Sequence, residues 1–145
     1  MYKLVLYFLF VALVQANIDN HEVTNTILTT IEKCITKNNL PHEEIWSVWK
    51  QPEFPEDNQE FTKFCDCIFT ELNIIKDDAV DYDNVKFMLP NFAAIRFNLS
   101  KDKSKEITEK LNTKVCFNLP KTTEAVIHCI RVRNCLYKEF QKVMS

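Results

Sequence analysis

The chain has 145 residues, the size of one domain, and carries 18 basic against 20 acidic side chains for a formal charge of -2. That near-neutral balance excludes the broad basic footprint of a nucleic-acid binder. A content of 46% hydrophobic and 12% aromatic residues excludes a disordered chain.

Glycine is absent altogether. Its absence removes phosphate-cradling glycine loops, the dinucleotide fingerprint, and hairpins turned by Asn-Gly or Asp-Gly. Residues 1–16 read MYKLVLYFLFVALVQA. Lys3 supplies a positive start, 4–14 an unbroken apolar run, and Val14-Gln15-Ala16 a small-x-small cleavage form. These features predict a signal peptide over 1–16 and a secreted chain of 17–145. The run is too short to span a bilayer, which needs about 20 residues. No later segment is as long and as apolar, so no membrane insertion is expected.

Asn20 or Thr24 is placed to cap a first helix. Val23, Ile27, Ile31, Cys34 and Ile35 recur at the spacing of one buried face. Asn38 and Asn39 end it, since Asn is the best substitute for Gly at a left-handed C-cap. Pro41 then opens a second helix over 42–50. Asp57 or Asn58 caps a third, running to about residue 72. Its apolar residues cover most of its circumference, which marks it as central. An acidic loop follows at 76–78. A fourth helix is predicted over 81–89, stopped by Pro90, with a greasy stretch continuing to residue 99. Ser100 caps a fifth helix carrying Ile107, Leu111 and Val115 in an i, i+4 stripe. Thr122 or Thr123 caps the last helix, which runs to about residue 144. No strand-like alternation is long enough to predict a strand. The expected class is all-α, with six short helices.

Little in the chain points to catalysis. The histidines are His21, His42 and His128. None stands in a zinc-protease motif, and no Ser stands in a nucleophile elbow, so no enzyme activity is expected. Cys65-Asp66-Cys67 with His128-Cys129 could in principle surround zinc. The spacing fits no standard finger or ribbon, and neither metal nor cofactor is expected. Asn98-Leu99-Ser100 is a glycosylation sequon.

An even cysteine count in an oxidising compartment reads as disulfides. Cys34, Cys65, Cys67, Cys116, Cys129 and Cys135 predict three, in any of 15 connectivities. Between them lie thirty, one, forty-eight, twelve and five residues. This order, with the stretch CITKNNLPHEEIWSVWKQPEFPEDNQEFTKFCDCIFTELNII over 34–75, resembles the insect odorant-binding and pheromone-binding proteins. The likeness continues through Met88-Leu89-Pro90, Lys114-Val115-Cys116 and Asn134-Cys135-Leu136-Tyr137-Lys138. Two cysteines are displaced. With Cys67 as the third, the family's second falls at Lys63, where this chain has Cys65. With Cys135 as the sixth, the fifth falls at Val126, where this chain has Cys129. The family bonds first to third, second to fifth and fourth to sixth. The resemblance therefore implies Cys34–Cys67, Cys116–Cys135 and a relocated Cys65–Cys129. The relocated bond would leave the third helix about 200° around from the usual position. Two free thiols are the alternative.

The resemblance further implies a secreted carrier that holds a small hydrophobic, odorant- or pheromone-like ligand in an internal cavity. It also implies a membrane chemoreceptor as partner and a monomeric or weakly dimeric state. The inward stripes and the family's cavity position together nominate Ile27, Ile31, Trp49, Phe69, Ile74, Phe87, Met88, Phe92, Leu111 and Leu136 as wall residues. Phe140 and Met144 are expected to close one end. A bridge across the cavity would favour a small or elongated ligand. Two other readings stay open: a non-olfactory scavenger of the same fold in saliva, venom or reproductive fluid, and a cavity-less protein-binding module.

Overall fold

The computed structural model describes residues 22–145. The leader expected over 1–16, and Asn20 as a cap, lie outside the described residues. Seven helices are present among the described residues, one more than expected. They are α1 (22–37), α2 (His42–Trp49), α3 (Gln59–Glu71), α4 (Tyr82–Phe97), α5 (Lys101–Glu109), α6 (Thr113–Phe117) and α7 (Ala125–Met144).

Without glycine, the chain turns its corners on Asn and Asp, whose short polar side chains tolerate the left-handed region. Asn39 (φ 49°) follows the end of α1, Asn73 (φ 57°) follows α3, and Asn98 (φ 51°) is the C-cap of α4. Asp77 and Asp78 also take positive φ. They turn a hairpin that the sequence did not predict, between β1 (Ile75–Lys76) and β2 (Ala79–Val80), with Ile75 paired to Val80. Two consecutive positive φ values are what a type I′ hairpin turn requires. Here Asp-Asp does the work usually given to Asn-Gly.

Side-chain caps fix several helix starts. Asn58 accepts from the Phe61 amide at 3.0 Å, Asp81 from Asn84 at 3.1 Å, and Ser100 from Lys103 at 3.2 Å. The last helix departs from expectation. Its N-cap is Glu124, without a side-chain cap, and the Thr122 hydroxyl donates to the Glu124 carbonyl at 2.8 Å.

Two sequence-based boundaries are overturned. Helix α4 does not stop at Pro90 but runs through it to Phe97. An interior proline costs about 3 kcal/mol through its missing N–H and ring clash. Burial of Leu89, Asn91 and Ala93 around it, and a hydrogen bond from the Ser104 hydroxyl to the Pro90 carbonyl, offset that cost. The expected fifth helix is split into α5 and α6. A continuous helix would have put Val115 on the face of Ile107 and Leu111. Instead Val115 is 52% exposed, and Cys116 is fully buried and bonded to Cys135 of α7. That bridge sets the rotation of α6.

Helix α3 is two-faced rather than apolar all round as expected: Phe61, Phe64, Cys65, Ile68 and Phe69 turn inward, while Glu60, Lys63, Asp66 and Thr70 are exposed. Phe61, Phe64, Cys65 and Ile68 are fully buried in it. Cys34–Cys67 ties α1 to α3, and Cys116–Cys135 ties α6 to α7. The third bridge is absent: Cys65 and Cys129 are buried free thiols. Burial pushes both thiols well above their ordinary range, and the neighbouring Cys129 charge raises Cys65 further. Cys129 borders the cavity described below, whereas Cys65 is enclosed by its neighbours. Each acts as a small apolar side chain rather than a crosslink.

Candidate ligand cavity

Two helical stripes face each other. On α4, Val85, Leu89, Phe92, Ala93, Arg96 and Phe97 recur at three- and four-residue steps. On α7, Cys129, Val132, Arg133, Leu136, Tyr137 and Phe140 do the same. Between them lies a half-enclosed cavity of about 100 Å³. Trp49 of α2, Phe54 of the loop after it, Phe69 of α3 and Ile74 complete the wall. The floor is buried aromatic and aliphatic surface. Phe92, Arg96, Phe97, Arg133 and Tyr137 are only half-buried and form the rim.

Aromatic contacts hold the wall. The Trp49 ring lies 5.4 Å from Phe54 and 6.3 Å from Phe92, and Phe97 lies 5.4 Å from both Tyr137 and Phe140. The loop carrying Phe54 has no helix to satisfy its backbone, and α7 supplies the partners. Asn134 accepts from the Phe54 amide at 2.8 Å and donates to its carbonyl at 3.0 Å. Arg133 donates to the carbonyls of Pro52 at 2.7 Å and Gln51 at 3.3 Å, and its guanidinium stacks 3.6 Å from the centre of the Phe54 ring.

The two rim arginines share one ring. Arg96 lies 5.3 Å and Arg133 4.9 Å from the centre of Tyr137. Arg96 donates to the Lys50 carbonyl and, at 3.2 Å, to the Tyr137 hydroxyl. Its Nε is buried and has no partner. Among the described residues neither arginine is ion-paired with a carboxylate. Burial and the neighbouring Arg96 charge push Arg133 down to about 10.

Of the residues nominated from the sequence, Trp49, Phe69, Ile74, Phe92 and Leu136 stand together in this wall, and Phe140 stands with them. Ile27, Ile31, Met88 and Leu111 do not; they are buried in the packed core. Phe87 is 67% exposed on the outside of α4, because its position is two residues from Val85 and so about 200° around the helix. Met144 is exposed near the chain end and closes nothing.

Sequence reasoning missed both arginines, Phe54, Phe97 and Tyr137. The α7 stripe was legible, because Arg133 interrupts an apolar pattern at the right period. The α4 stripe was hidden by stopping the helix at Pro90. The candidate zinc set is not assembled either. Cys67 is bonded to Cys34, and among the described residues no group of three or more His, Cys, Asp or Glu side chains is placed to hold a metal.

Comparison of the chain with curated proteins and with solved structures gave no match in either case. The model of the PBP/GOBP family matches residues 16–139, most of the chain, and the chain belongs to that family, the insect odorant- and pheromone-binding proteins.

Proposed function

We propose that the protein is a secreted carrier of small apolar ligands, of odorant or pheromone type, held between α4 and α7. The observation that carries this reading is the half-enclosed cavity with a buried aromatic and aliphatic floor. Family membership supports it, since the family suggests carriage of small hydrophobic molecules rather than catalysis. Under this reading residues 1–16 direct export, and the loaded protein delivers its ligand to a membrane chemoreceptor. Among the described residues no helix is long and apolar enough to cross a membrane.

The physics of loading is desolvation. A ligand burying about 300 Å² of apolar surface gains roughly 7 kcal/mol before ordering costs, which sets the tightest binding from desolvation alone at about 10 μM. The cavity size sets the ligand size. An engineered dry cavity of about 150 Å³ accepts benzene; at about 100 Å³ the void here encloses only part of such a ligand, the rest lying in its open half. Longer ligands require the half-buried rim aromatics to swing outward.

Trp49 offers a direct test. The chain has two tryptophans, and Trp46 lies outside the cavity, bonded to Glu32 at 3.1 Å. In Trp46→Phe, the remaining indole reports occupancy. Titration with 1-octanol should change Trp49 fluorescence saturably. No saturable change with any straight-chain alcohol from hexanol to decanol would overturn the carrier reading.

A further inference from the structure

An apolar ligand needs only the cavity floor, and the rim holds more than that. Arg96 and Arg133 come from different helices, and both guanidiniums lie within 5.3 Å of the centre of the Tyr137 ring. Both border the same cavity. Two like charges held together repel, and no carboxylate among the described residues pairs with either. Pinning the loop after α2 explains part of the arrangement. Arg133 alone already binds two carbonyls of that loop. Arg96 adds one more through a single Nη atom and leaves its buried Nε without a partner. A buried donor left unmade costs free energy that an acceptor would recover.

We infer that the cavity takes a small organic anion, a carboxylate on a short apolar body, with its carboxylate received by Arg96 and Arg133 at the rim and its body against the floor. This ligand class presupposes the carrier reading above. The chemistry favours it in three ways. Guanidinium groups match the planar, two-oxygen geometry of a carboxylate. The two guanidiniums are already oriented by stacking and by backbone carbonyls, so little side-chain entropy remains to be lost on binding. An arriving negative charge also relieves the repulsion between the pair, which a neutral alcohol cannot do.

The experiment compares octanoate with 1-octanol in Trp46→Phe at pH 8, where the acid is ionised. Trp49 fluorescence is the readout, and the ratio of the two affinities within each variant is the quantity scored. Octanoate is expected to bind about tenfold more tightly than octanol, the scale of one charge-assisted hydrogen bond. That preference should shrink as salt is raised. Adding Arg96→Gln or Arg133→Gln should bring the ratio close to one, while Arg96→Lys, which keeps the charge but not the planar fork, should retain part of it. Should a Gln variant fail to fold, judged by circular dichroism, the lysine variant and the salt series decide. Octanol binding with no octanoate preference, or a preference unmoved by salt and by the arginine substitutions, overturns the anion assignment and leaves the carrier reading intact. Failure of both ligands to bind overturns both.

Discussion

The junction of α1 with α3 and the face between α4 and α7 are built from the same kinds of residue and end differently. At the first, Ile27, Ile31, Phe61, Phe64 and Ile68 are wholly shut away from solvent, and Cys34–Cys67 fastens the two helices. At the second, Val85, Leu89, Val132 and Leu136 are buried, yet they face a void with a half-buried aromatic rim. An isoleucine of α1 and a leucine of α7 each belong to an apolar stripe. One is packed on every side, and the other has empty space on one. The difference is how closely the opposing helices approach, and a braced solid region is what lets the other region stay hollow.

The sharpest way to break this contrast is truncation on each side. Phe64→Ala removes a ring packed against Trp49 and Phe61 and should cost about 3–5 kcal/mol in urea unfolding. Leu136→Ala, beside a void that exists already, should cost about 2 kcal/mol and admit longer alcohols than the parent. Equal costs would mean that the region between α4 and α7 closes in solution.

Removing the brace is the next test. Cys34→Ser with Cys67→Ser should lower stability by about 2–4 kcal/mol, because the bridge restrains the unfolded chain across 33 residues of separation. An unchanged urea midpoint would show that packing alone holds α1 to α3.

The smallest effect concerns acid. Tyr82 and the Nε2 of buried His128 share a hydrogen bond of 2.7 Å, joining the start of α4 to α7. Burial lowers the His128 imidazole below its ordinary value, with Lys121 and Arg131 adding to the shift and the Pro120 carbonyl opposing it. The folded state thus prefers the neutral ring. Its contribution is complete above the ordinary imidazole value of about 6.5 and is lost as pH falls through the lowered folded value. Stability measured from pH 7.5 to 5 should decline, and His128→Gln should flatten that decline. An identical slope in the variant would assign the acid sensitivity elsewhere.

Much of the helical framework was legible in the residues. Asn39 ends α1, and Asn58 and Ser100 cap their helices, whereas α3 was read as apolar all round and instead exposes Glu60, Lys63, Asp66 and Thr70. The cavity was only partly legible. Five nominated residues line it, while Ile27, Ile31, Met88 and Leu111 belong to the solid core. Phe87 falls on the outer face of α4, about 200° around the helix from Val85. Local propensity argues for a break at Pro90. Tertiary packing against α5 and α7 overrides it, and only the continued helix aligns Val85 with Arg96.

From the residues alone, the chain is helical, its first corner falls on Asn39, and many of its apolar faces are assigned, because these are properties of a few neighbouring positions. Whether two apolar faces meet or stand apart is decided by distances between segments far apart in the chain. For that reason the void, the pairing of Arg96 with Arg133, and the unbonded state of Cys65 and Cys129 emerged only when the helices were packed.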